Sequence, residues 1–112
     1  MKNRSITYIT LGLVAVLSIL TVRSLAAQQP ARTYKRDVPA ALLSQAKVSE
    51  DSARKVAMTR VPGSTVAALE LEREHGLLIW SFDLAVAGKP GIEEVEVDAL
   101  TGKIARVEHE KH

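Results

Sequence analysis

From residue 65 onward, apolar and polar residues alternate with a period of two. Residues 65–74 set Ala67, Leu69 and Leu71 against Ala68, Glu70 and Glu72, and residues 78–86 set Leu78, Trp80, Phe82, Leu84 and Val86 against Ile79, Ser81, Asp83 and Ala85. Alternation of this kind marks half-buried strands. His75-Gly76 lies between the two runs and suits a two-residue type I′ turn. Pairing Glu74 with Leu77 puts Leu71 opposite Trp80, Leu69 opposite Phe82 and Ala67 opposite Leu84. Every large apolar residue then shares one face, an agreement that a one-residue slip would destroy. Gly88-Lys89-Pro90-Gly91 predicts the next turn. Pairing Ala87 with Ile92 there places Leu84 opposite Val95, Phe82 opposite Val97 and Trp80 opposite Ala99. A third turn over residues 98–103 leads to a short last strand at 104–107, in which Ile104 and Val107 have opposite parity.

Before residue 64 the period is helical. Ser49 is a good N-cap, and Glu50 and Asp51 put negative charge at the positive end of the helix dipole. Ala53, Val56, Ala57 and Val61 form a narrow stripe, and Pro62-Gly63 ends the helix. The abundance of Ala lets a sheet approach closely. Pro39 in a first turn, followed by good helix formers through Lys47, predicts a shorter helix with Leu42, Leu43 and Ala46 on one stripe. Helices followed by strands argue for an α+β domain. The expected architecture is one main helix on a three- to four-stranded antiparallel meander, with a short helix before it.

The N-terminus has a different character. Lys2 and Arg4 precede a 17-residue apolar run at 6–22, and Ser24-Leu25-Ala26 offers small residues to a signal peptidase. This is the layout of a secretory signal over 1–26, and the run also touches the lower limit for a membrane anchor that is retained. Either way the remainder lies outside the cytoplasmic membrane, periplasmic or secreted. Residues 27–38 read as a polar linker, 39–108 as the domain and 109–112 as a charged, frayed tail.

Export revises the charge. The chain carries 15 basic and 13 acidic residues, a net +2. Without Lys2, Arg4 and Arg23, 12 basic residues face 13 acidic ones, a net −1. The basic character belongs to the targeting segment and gives no reason to invoke nucleic acid. The chain has no Cys, which excludes disulfides, thiol catalysis and Cys-based metal sites.

Once assembled, the pattern resembles the PepSY domain. The residues that carry the resemblance are Val48-Ser49-Glu50-Asp51-Ser52-Ala53, the Val61-Pro62-Gly63 break, Leu69-Glu70-Leu71-Glu72, Trp80-Ser81-Phe82-Asp83 and, most distinctively, the stretch Val95-Glu96-Val97-Asp98-Ala99-Leu100-Thr101-Gly102-Lys103-Ile104. They span about residues 48 to 107. The resemblance implies a helix packed on a small antiparallel sheet, export and no catalysis. It further implies an association with peptidase propeptides and with the inhibition or regulation of peptidases. No protease domain follows in this chain, so such a role would be exercised in trans.

The chemistry agrees with a non-enzyme. No nucleophile elbow, HExxH, phosphate loop or zinc spacing occurs, and no cofactor is expected. The predicted register gathers Glu70, Glu72, Asp83, Glu94, Glu96 and Asp98, with Ser81, on the side away from Trp80. A solvated outer face is the plain reading, since one-sided sheets alternate this way. Carboxylates on neighbouring strands nevertheless repel, so a Lys or Arg from the first helix or the tail, a basic envelope or secreted protein, or a divalent cation is expected to offset them. These six acids are the candidate partner-binding residues of a protein-binding domain. The alternatives are a tethered or periplasmic sensor of a small ligand or cation, and a structural accessory module. His109 and His112, with Glu108 and Glu110, lack a rigid scaffold for a metal. His75 reads as a turn residue, and Trp80 and Phe82 read as core.

Overall fold

In the computed structural model, which describes residues 33–111, the main helix begins as predicted. Ser49 is its N-cap, and Ser49 Oγ accepts a hydrogen bond from the Ser52 amide at 3.1 Å. In chain order the elements are strand β1 (Lys35–Asp37), helices α1 (Ala40–Leu43) and α2 (Glu50–Arg60), then strands β2 (Ser64–Glu74), β3 (Leu77–Val86), β4 (Ile92–Asp98) and β5 (Ile104–Glu110). The signal or anchor expected at 1–26, the first part of the linker, and His112 lie outside the described residues. No helix among the described residues is long and apolar enough to cross a membrane.

The five strands form one sheet in the order β1-β2-β3-β4-β5. The α+β class stands, while the expected three- to four-stranded antiparallel meander is corrected to a five-stranded mixed sheet. The addition is β1, which pairs parallel to β2 with Arg36 opposite Leu69. It falls within the stretch expected to be linker. Two contacts fasten it: Glu50, 7% exposed at the start of α2, accepts a hydrogen bond from Tyr34 Oη at 2.8 Å and an ion-paired one from Arg36 Nε at 2.7 Å. Helix α1 is a single turn and does not reach Lys47. The amides of Lys47 and Val48 instead donate to Ala99 O, each at 2.9 Å, which pulls the chain out of the helix and onto the end of β4. Leu43 accordingly points outward at 45% exposure, while Leu42 and Ala46 pack on the core.

The β2–β3 hairpin has the predicted register from Glu74↔Leu77 through Leu71↔Trp80 to Leu69↔Phe82. His75 and Gly76 both have positive φ, at 49° and 79°, as a type I′ turn requires. Beyond Ala68 the expectation fails. A bulge at Ala67 places Val66, not Ala67, opposite Leu84. The extra residue inverts the parity of the strand that precedes it, so the larger Val turns inward and Ala67 is exposed. The β3–β4 register is corrected by two residues: Trp80 faces Val97, Phe82 faces Val95 and Leu84 faces Glu93. An even shift leaves every side chain on its own face, so the hydrophobic pattern could not separate the two registers.

The last strand is longer than expected. It runs through His109 to Glu110, so residues expected to fray are paired with Glu93 and Ile92. Its parity conflict is resolved by an irregularity opposite Glu96/Val97, where Ile104 faces Val97 but Arg106 faces Glu96. Ala105 is the extra residue. Ile104 and Val107 therefore both face the helix side, and Arg106 faces the other.

Leu69, Leu71, Leu78, Trp80, Phe82, Leu84, Val95, Val97 and Ala99 are buried beneath Ala53 and Ala57 of α2. Trp80 lies fully inside, and its Nε1 donates to Val48 O at 2.9 Å. The aromatic side of the sheet is thus consumed by packing. The opposite side carries the carboxylates.

Candidate functional site: the carboxylate face

Strand alternation carries the acids to one face, and pairing sets them in rows. Glu70 lies beside Ser81, Ser81 beside Glu96, and Glu96 beside Arg106. The adjoining row runs Ala68, Asp83, Glu94, Glu108. The parallel strand adds Lys35 beside Ala68 and Asp37 beside Glu70. Between them lies a cleft of about 170 Å³, lined by Lys35, Asp37, Glu70, Glu72, Asp83 and Glu94 among others. Four of the six predicted site residues therefore share one concavity.

The other two do not line it. Asp98 is a turn residue: its Oδ1 accepts the amides of Leu100 at 2.8 Å and Thr101 at 3.1 Å, which holds the bend leading to Lys103. Glu96 lies in the dry centre of the face, where Ile79 and Ser81 are also buried, and is itself only 4% exposed.

A counter-charge is present, but it comes from the last strand and not from the first helix or the tail, where it was expected. Arg106 Nη2 donates to Glu94 Oε1 at 3.1 Å and stands 3.3 Å from Glu96 Oε1, while Nη1 meets Glu108 Oε2 at 3.1 Å. The sequence reading missed Arg106, because only the irregularity at Ala105 turns it to this side. It also missed Glu74. One carboxylate oxygen each of Glu72, Glu74 and Glu96 lies within 4.8 Å of the other two.

This crowding shows in the acidities. Glu72 is raised above the ordinary carboxylate value by burial first, then by the charges of Glu70 and Glu74. Glu96 is raised by burial and by its contact with Glu74, with Arg106 pulling the other way. Glu110, on the same face, is raised chiefly by repulsion from Glu94. Arg106 alone does not neutralise the face.

Residues 47–108, more than half of the chain, match the family PepSY, "Peptidase propeptide and YPEB domain". The chain belongs to the PepSY family. Domains of this family are generally non-catalytic, propeptide- or inhibitor-like, and typically extracellular or periplasmic. No curated protein and no solved structure matches the chain.

Proposed function

We propose that this chain is a non-catalytic, exported PepSY domain that binds another envelope or secreted protein and thereby restrains or regulates a peptidase. The observation that supports this reading is family membership across helix α2 and strands β2 to β5, residues 47–108. The cleft suggests the partner's chemistry. Five carboxylates against one Lys in about 170 Å³ favour a basic side chain, Lys or Arg, presented by a partner segment. Charge complementarity of this kind speeds encounter and selects partners.

The test is capture from envelope extract by the full chain, combined with an activity assay on any peptidase recovered. Capture of a peptidase that is slowed in the bound state supports the reading. Reversing Glu70 and Asp83 to Lys is expected to abolish capture and to remove its salt dependence. Capture that survives the double reversal would exclude the carboxylate face as the docking surface, and recovery of no peptidase would exclude the regulatory role.

A further inference from the structure

Where the C-terminal end of β2 passes β4, the side chains of Glu72, Glu74 and Glu96 converge. Three negative groups at this spacing need protons or a cation between them. Glu96 is the buried member, and its Oε1, closed off from solvent, accepts no hydrogen bond among the described residues. The cation paired with that oxygen is Arg106 at 3.3 Å, a guanidinium already shared with Glu94 and Glu108. Glu74 meets the exposed His75 imidazole at 3.6 Å. The three acids thus meet at a buried carboxylate whose Oε1 accepts no hydrogen bond among the described residues and has an ion-pair contact with the shared Arg106.

Three oxygens within 4.8 Å of one another lie at most about 2.8 Å from a common centre, so a closing movement of a few tenths of an ångström brings all three to about 2.4 Å from a single ion, the usual Ca²⁺–oxygen distance. The donors are carboxylates with no Cys or His among them, which selects a hard cation over zinc or copper. We propose that Glu72, Glu74 and Glu96 form a binding site for a hard divalent cation, best suited to Ca²⁺. Glu96 is the inner ligand, and the two half-exposed glutamates close over the ion from the solvent side. Water completes the coordination. Arg106 competes for Glu96 and keeps the affinity low, in the roughly millimolar range typical of extracellular Ca²⁺ modules. The ion would tie β2 to β4 across β3 and remove the repulsion that Arg106 leaves uncompensated. The site shares Glu72 with the cleft, but calorimetry with the ion alone and capture of a protein are read separately, so either reading can fail without the other.

The experiment is calorimetric titration of the full chain, stripped of metal by chelator, with CaCl₂ at neutral pH. Thermal unfolding is followed in parallel. Saturable one-site binding and a rise in Tm are expected, with MgCl₂ weaker because Mg²⁺ tolerates less irregular geometry. The double variant Glu72→Gln/Glu74→Gln leaves the buried residue in place, so it should fold, and it should lose the response. Arg106→Gln removes the competing charge and should tighten binding. Absence of saturable heat up to about 10 mM Ca²⁺, above the range expected for such modules, would overturn the proposal. So would binding that persists in the double variant.

Discussion

Trp80 and Glu50 show how single side chains join distant parts of this chain. Trp80 is fully buried, and its indole N–H satisfies the Val48 carbonyl just before α2. Trp80→Phe would leave that carbonyl unpaired and open space beside the ring. Removal of one hydrogen-bond partner alone costs about 1–3 kcal/mol, and the residual void adds to it. The urea midpoint should fall accordingly, and a midpoint unchanged from the parent would show that Val48 O finds another donor. Glu50 does comparable work for β1, because it receives both Tyr34 and Arg36. The core role of Trp80 was legible from its place in the alternating run. The role of Glu50 was not, since an acid in the first turn of a helix is already explained by the dipole and gives no hint of a partner 14 residues upstream.

At the scale of elements, legibility followed local signals. Helix α2 and the β2–β3 hairpin were readable because a capping Ser, a two-residue turn and a period of two all sit within the segments they specify. Ser49→Ala should cost about 1 kcal/mol, the usual worth of such a cap, measured by denaturation. No loss would mean that the tertiary contacts of Val48 and Glu50 hold the helix start unaided. Strand β1 had no such signal: Lys-Arg-Asp shows no apolar alternation, and its place comes from β2 and from Arg36–Glu50. The bulge at Ala67 and the extra residue at Ala105 were equally hidden, because each changes parity without changing composition. The second of these decides the site, since it is what brings Arg106 onto the carboxylate face. Gly91 marks another close approach. It has φ of +82°, and a Cβ there would lie 2.3 Å from Glu110 O, so Gly91→Ala should unpair the end of β5. Faster amide exchange at His109 and Glu110 than in the parent would show it, whereas unchanged protection would mean that the backbone shifts to make room.

The whole molecule has two unlike faces, a dry one under α2 and a charged one whose acids are only partly neutralised, and its stability should depend on pH as a result. Glu72 and Glu96 both have carboxyls raised above 4.5 in the fold, so the folded state holds protons that the unfolded chain releases. Their contribution is full below about pH 4.5 and is lost as pH rises through the raised values. The groups facing them are Glu70, Glu74 and Glu94, with Arg106 from β5 opposing the trend. Lys35 and Asp37 of β1 stand at the far side of the cleft. In chelator, the urea midpoint should therefore decline as pH rises above about 4.5, where the protons leave. Glu96→Gln keeps the shape and removes the titration, so its profile should be flatter. A parent profile that is already flat would mean that Arg106 compensates the cluster after all. If the cation site is real, Ca²⁺ should restore the midpoint most strongly at the neutral end, because the ion and the protons occupy the same oxygens and each excludes the other.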